Sequence, residues 1–208
     1  MPIKVICADK HEIFRQGLAA LLNNTKEITL IAQTGNGRKA WELTKRLKPD
    51  IAIVDIHMPE MNGIEVSRKI CFSDLATQVI LLTALEDPIV AIDAQEAGVF
   101  GYVLKNNSFE DLLTALHTVV AGGTFLSATI RAKLRERQRL GIATVGLSPR
   151  EREVVRLIAL GKSGKEIARI IEISPRTVDT YRNRLMDKLQ AHNVVDVVRY
   201  AIRAGMVE

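Results

Sequence analysis

The chain has 208 residues, 47% hydrophobic and 25% charged, a globular balance with length enough for two domains. No apolar run approaches the roughly 18 residues of a membrane span, and two cysteines, Cys7 and Cys71, cannot build a disulfide framework or, by themselves, a structural zinc site. The net charge of +5 is uneven: residues 1–125 carry 12 Lys/Arg against 15 Asp/Glu, whereas residues 126–208 carry 17 against 9. That asymmetry points either to an anionic polymer as partner of the C-terminal part or to a solvated basic face. Asp9 and Lys10 interrupt the first apolar stretch too early for a secretory signal. A cytoplasmic protein with no membrane partner is expected.

The first 120 residues alternate short apolar runs with helical patterns. Ile3–Ala8 reads as a strand, followed by a helix carrying Phe14, Leu18, Leu21 and Leu22 at helical spacing. Ile28–Gln33 is a second strand, and the next helix, with Ala40, Trp41 and Leu47, stops at Pro49. Ile51–Val54 is continuous and rich in β-branched residues, as a strand buried on both faces should be. Asn62–Cys71 is helical, Val79–Leu82 a strand, Pro88–Ala97 helical, and Val99–Leu104 the last strand. Ser108 and Asp111 form an expected capping box for a helix to about Ala121. Five βα units predict a doubly wound, five-stranded parallel sheet, whose sites lie at the carboxyl ends of the strands. Asp9, Asp55, Thr83 and Lys105 stand there.

Gly122–Gly123 breaks the pattern, and residues 127–140 read as a basic exposed helix or a partly ordered linker, loosened beyond by Gly141 and Gly146. The expected organisation is a first domain over 1–125, a linker over 126–146, and a separate small all-α four-helix domain over 147–208. Ser148-Pro149-Arg150-Glu151 combines a cap, a proline at the first helical position and a glutamate at the third. A short helix over about Lys165–Ile171, the turn Glu172-Ile173-Ser174 and a helix to Leu189 have helix-turn-helix spacing, centred on 165–184. A fourth helix spans Val194–Ala204, and its Val194, Val197 and Val198 are candidates for a dimer contact. On the third helix, Val178, Leu185 and Leu189 share one face with Tyr181 beside them, while Arg176, Thr180, Asn183, Arg184 and Asp187 take the other. Such a face suits base edges and phosphates of double-stranded DNA, with Lys165, Thr177 and Lys188 as phosphate contacts. Asp179, at its margin, either accepts from cytosine N4 or holds Arg176 or Arg182.

The motifs IAIVDIHMPEMNG (51–63), VILLTA (79–84) and GYVLK (101–105), followed by LSPREREVVRLIALGKSGKEIA (147–168) and ISPRTVDTYRNRLMDKL (173–189), carry a resemblance. The chain resembles the NarL/FixJ family of response regulators, a flavodoxin-like receiver domain joined to a LuxR-type helix-turn-helix domain. The resemblance implies a two-component, non-enzymatic transcription regulator that binds DNA as a homodimer. Asp55 would be the phosphoacceptor, with a sensor histidine kinase as phosphodonor. It further implies Mg²⁺ held by Asp9, Asp55 and the backbone carbonyl of His57, with Thr83 and Lys105 meeting the phosphoryl group. Tyr102 would change rotamer as Thr83 moves.

Three positions depart from the family pattern, the slightest being Asn106, where many receivers have a proline after the conserved lysine but relatives of this subfamily often lack it. Asp9-Lys10 stands where receivers carry two adjacent acids, and the lost acid is usually a direct ligand of the cation. Lys10 either fills the cation's place with its own charge or points outward and leaves the metal to Asp9. The alternative function is therefore a phosphorylation-independent regulator whose receiver serves as a dimerisation or ligand-sensing module. Gly164 replaces an asparagine of the DNA-binding pattern and is expected to weaken one helix cap. An α/β phosphatase using Asp55 would want a second aspartate where His57 stands, and it leaves the basic half without a role.

Overall fold

In the computed structural model, residues 2–140 and 146–207 are described, so Gly141 of the expected linker lies outside them. The chain divides into two compact units, residues 1–133 and 134–208.

The first unit is a parallel sheet with helices on both faces. Its elements are β1 (Ile3–Ala8), α1 (Glu12–Asn23), β2 (Ile28–Thr34), α2 (Gly37–Leu47), β3 (Ile51–Val54), α3 (Gly63–Cys71), β4 (Gln78–Thr83), α4 (Pro88–Glu96), β5 (Val99–Leu104), α5 (Phe109–Val120) and β6 (Phe125–Leu126). The strand order is β2-β1-β3-β4-β5-β6. A sixth strand thus joins the five expected: Phe125 and Leu126 pair in parallel with Gly101 and Tyr102. Two residues are too few for period-two alternation to be visible in sequence.

Strand alternation sends Val5, Cys7, Ile53, Ile80 and Leu82 into one core cluster with Leu18 and Leu22 of α1 and Leu112 and Leu116 of α5. The intervening residues, such as Ile6, Ala52 and Leu81, are equally buried on the other face. The chain leaves β1 toward β2 and returns to β3 on β1's other side, so the order reverses between β1 and β3. The connections diverge there and leave a crevice at the carboxyl ends. Ser108 accepts from the Asp111 N–H, the serine half of the expected capping box.

Helix α6 (Ala128–Arg139) follows β6, and the division between the two units falls within it. Its Ile130 is fully buried, on a helix that carries Arg131, Lys133, Arg135, Arg137 and Arg139.

The second unit holds α7 (Pro149–Ala159), α8 (Gly164–Ile170), α9 (Pro175–Leu189) and α10 (Val194–Arg203). Each start is written in the sequence as a side-chain cap: Ser148 and Ser163 form reciprocal capping boxes with Glu151 and Glu166, and Ser174 accepts from the Thr177 N–H. Ser163, not residue 164, is therefore the cap of α8, and Gly164 is merely its first helical residue. The expected loss of a cap is corrected. Val154, Ile158, Ile167, Val178, Leu185, Val197 and Tyr200 close the core. Val197 packs inward and drops out of the expected dimer face, while Val194 and Val195 remain exposed.

Among the described residues of this unit, Glu151 is the buried charged one, 4% exposed. Burial pushes its carboxyl up, but the Lys188 ammonium at 2.8 Å and hydrogen bonds from Ser148 outweigh burial and hold it below the ordinary value. A carboxyl lowered in the folded state adds stability that is fully present above its unfolded pKa. That stability is lost as pH falls through the lowered folded value. Glu151→Gln is therefore expected to cost the helical unit about 2 kcal/mol at pH 7. The gap from wild type should narrow toward pH 3 in urea titrations followed by circular dichroism; a gap independent of pH would contradict the ion pair's role.

Candidate functional site

The crevice is built from four strand ends. Asp9 follows β1 and Asp55 follows β3, only 2% and 3% exposed, with Thr83 closing β4 and Lys105 following β5. The backbone fixes their levels: the Asp55 N–H donates to the Ala8 carbonyl and the Lys105 N–H to the Thr83 carbonyl, each at 2.8 Å. The Lys105 ammonium lies 2.7 Å from Asp9 Oδ2 and 2.9 Å from Asp55 Oδ2. Two buried carboxylates so close repel, and one ammonium shared between them offsets that cost.

Neighbours from α1 complete the setting. The Phe14 ring lies 4.9 Å from Lys105 Nζ in a cation–π contact. Arg15 donates to the Asp9 carbonyl at 2.6 Å. His11 donates its N–H to Asp9 Oδ1 at 2.9 Å and places Nδ1 at 3.1 Å from the same oxygen. Asp9, His11 and Asp55 each offer a ligand atom, all within 4.8 Å of one another. Lys10 is exposed, and it is Lys105 whose ammonium bridges the acids. Behind the crevice, burial first and the Asp9 charge second push the Cys7 thiol up to about 12, so it stays neutral.

Thr83 accepts from the Leu85 N–H at 3.3 Å, and the buried Tyr102 hydroxyl donates to the Leu85 carbonyl at 2.8 Å. Burial raises the Tyr102 phenol well above its ordinary value, with Asp87 and Asp55 adding to the shift, so it remains a neutral donor. His57 sits half-buried in the loop after β3. The structure thus brings Asp9, Asp55 and Lys105 into direct contact, with Thr83 and Tyr102 joined through Leu85.

In the second unit, α9 exposes Arg176, Thr177, Thr180, Asn183 and Arg184, and α8 exposes Lys165. Arg176, Thr177, Thr180 and Arg184 line one shallow recess with Ser174 and Tyr181. Asn183 instead shares a separate groove with Asp179, Arg182 and Val194. Lys188 departs from the expected phosphate contact. Its ammonium bonds Glu151 and the Gly146 carbonyl inside the domain, because a buried carboxylate requires a counter-charge there.

Comparison with known proteins settles the family. Residues 5–117 match the response regulator receiver domain, and residues 145–201 match the bacterial regulatory proteins of the luxR family. The chain is a response regulator of the NarL/LuxR family. It is 34% identical to the transcriptional regulatory protein LnrK of Bacillus subtilis, over 98% of each chain. The nitrate/nitrite response regulator NarL of Escherichia coli is 32% identical over 94% of this regulator and 93% of its own length. Among solved structures, RcsB from Salmonella enterica serovar Typhimurium, bound to promoter DNA in the presence of phosphomimetic BeF3⁻, superposes with a TM-score of 0.72 at 25% identity. It covers 98% of this chain and 99% of its own. The regulator has a receiver and a LuxR-type helix-turn-helix and belongs to the two-component systems that regulate transcription. Among the described residues no helix is long and apolar enough to cross a membrane.

Sequence reasoning missed His11 and Arg15 as neighbours of Asp9 and Phe14 as a neighbour of Lys105. Phe14 gave only a core signal, since helical spacing reports which face is buried and not what it is buried against. Gly63 was also missed as a support. A Cβ there would lie 2.3 Å from the Asp55 carbonyl oxygen and 2.9 Å from its carbon. Backbone cannot yield as a side-chain tip does, so Gly63→Ala is expected to push Asp55 out of register with Lys105 and cost about 1–3 kcal/mol. Thermal denaturation should show a Tm lower by several degrees, and an unchanged Tm would remove this constraint.

Proposed function

We propose that this regulator binds double-stranded DNA as a homodimer through α9, under the control of phosphorylation at Asp55 by a sensor histidine kinase. The supporting observation is the contact of one ammonium with both buried carboxylates at the strand ends, beside a hydroxyl tied to the loop that follows. A carboxylate oxygen of Asp55 attacks the phosphorus of the donor, the bond to the donor nitrogen breaks, and the electron pair leaves with the donor. Lys105 then exchanges its Asp55 contact for the phosphoryl oxygens and holds their charge. Thr83 turns its hydroxyl to the same oxygens and releases the Leu85 N–H, and Tyr102 follows the freed loop.

Two buried carboxylates and a main-chain carbonyl suit a hard dication, one carboxylate short of the family pattern because Lys10 stands in its place. Asp9, Asp55 and the His57 carbonyl would hold Mg²⁺, which when bound neutralises the crowded phosphoryl oxygens. On the DNA side, Arg176, Thr180, Asn183 and Arg184 read the groove while Lys165 and Thr177 meet phosphates. This agrees with the net +8 of residues 126–208 and with the DNA complexes and dimers of the neighbour RcsB. A cytoplasmic location suits both partners.

One observation favours a second reading. Asp9 and Asp55 already share the Lys105 ammonium, and the exposed Lys10 follows Asp9 directly in sequence, so positive charge offsets the two carboxylates without a dication. On that reading the receiver acts without phosphorylation, as a dimerisation or ligand-sensing module.

Intact mass after incubation with acetyl phosphate and Mg²⁺ separates the two. A single phosphoryl adduct on the wild type and none on Asp55→Ala is the expected result. No adduct, with labelling restored by Lys10→Asp, would establish the second reading. Arg184→Ala is expected to weaken operator binding by about 1–3 kcal/mol. Equal affinity in a titration against the operator would remove Arg184 from the reading face.

A further inference from the structure

Glu86 stands three residues after Thr83, and several elements converge on it. Lys133 of α6 donates from Nζ to the Glu86 backbone carbonyl and to its Oε2, each at 2.9 Å. Asn106, the residue after Lys105, donates from Nδ2 to Glu86 Oε1 at 3.3 Å. The preceding residue, Leu85, is bonded to both Thr83 and Tyr102. An unbroken line of hydrogen bonds and one peptide link therefore runs from the Thr83 hydroxyl through Leu85 and Glu86 to Lys133. The Lys133 bonds also lower the Glu86 carboxyl below its ordinary value, with Asn106 adding to the effect.

The same helix is anchored upstream. The Ser127 hydroxyl donates to Asn107 Oδ1 at 2.6 Å and accepts from the Leu104 N–H at 3.0 Å, both at the end of β5. Ile130, one turn before Lys133 on the same side of α6, is fully buried. The first half of α6 is thus held by Ile130, by Arg131, which donates to the Leu126 carbonyl at 2.9 Å, and by the Ser127 and Lys133 contacts, these last two to loops beside the phosphoryl site. The two attachments differ in strength. Ser127 is 1% exposed, whereas the Lys133 and Glu86 side chains are 41% and 42% exposed, an ion pair that a small displacement breaks.

We infer that the Lys133–Glu86 contact is a clamp that fastens α6 to the receiver in the unphosphorylated protein and opens when Thr83 turns toward phosphorylated Asp55. Turning Thr83 removes the acceptor of the Leu85 N–H, and the loop carrying the Glu86 carbonyl and carboxylate re-seats. Both acceptors of Lys133 belong to that one residue, so they are lost together. Helix α6 then stays attached through Ser127 and Ile130 while the part beyond Lys133 is freed. The clamp makes α6 the element through which the phosphoryl site acts on the chain beyond the receiver, and its opening rests on the phosphorylation reading above.

Hydrogen exchange of the full chain, read by mass spectrometry on peptides covering 130–139, tests this. Phosphorylation by acetyl phosphate, verified by intact mass, is expected to speed exchange there by about two- to five-fold, the range that losing an exposed ion pair gives. Lys133→Met should show the same faster exchange without phosphorylation, and Lys133→Arg should keep the wild-type protection. Peptides from β1 and β3 serve as folding controls and should not change. Phosphorylated wild type with unchanged exchange in α6 overturns the inference, as does Lys133→Met with wild-type protection. If no adduct forms, the phosphorylation reading fails on its own, and the Lys133→Met comparison alone decides whether the clamp holds α6.

Discussion

The receiver is organised around one ammonium group. Lys105 sits between two carboxylates that are almost completely removed from water, and its charge offsets the cost of burying them side by side. The requirement reaches back into the backbone. The carboxyl ends of β1, β3 and β5 must stop at one level, which the ladder bonds from Asp55 to Ala8 and from Lys105 to Thr83 enforce. Gly63 must lack a side chain so that α3 can start against the Asp55 carbonyl. Phe14 and Arg15 on α1 then support the ammonium and the Asp9 backbone from the remaining side.

A site balanced this closely responds to added charge. A phosphoryl group brings more negative charge than the carboxylate it modifies and three strong acceptors, so the donors already present are drawn to it. Lys105 and Thr83 are the donors within reach, and Thr83 is tied through Leu85 to the loop that carries Glu86. Under the proposed phosphorylation the response is local electrostatics transmitted by a short loop, to which the buried and neutral Tyr102 is hydrogen-bonded. Lys10 changes the balance from the start. It adds a positive charge next to Asp9 where the family pattern has a negative one, which lowers the negative charge available to hold a dication there.

The second unit solves a different problem, holding four short helices together with little apolar area. Its helix starts carry side-chain caps, and its buried Glu151 fastens the start of α7 to Lys188 near the end of α9. Arg176, Thr180 and Arg184 stand exposed on α9. The basic residues on that face are free of the structural duty that occupies Lys188.

The sequence by itself determined what depends on local pattern. Strand runs, helix periods and the repeated Ser-Pro or Ser-x-x-Glu starts named the elements, because caps and periodicity act over three or four residues. The five-unit alternation then placed Asp9, Asp55, Thr83 and Lys105 at strand ends, since the site rule of parallel sheets follows from chain order. Tertiary structure decided what depends on distances between segments far apart in the chain. The two-residue β6 exists only because Gly101 and Tyr102 offer it a free edge, and Phe14 meets Lys105 although 91 residues separate them in sequence. Lys188 belongs to Glu151 and not to the outer face, and Lys133 finds Glu86, because a charge takes its partner from whatever the fold brings within about 3 Å. Local patterns carry no information about that.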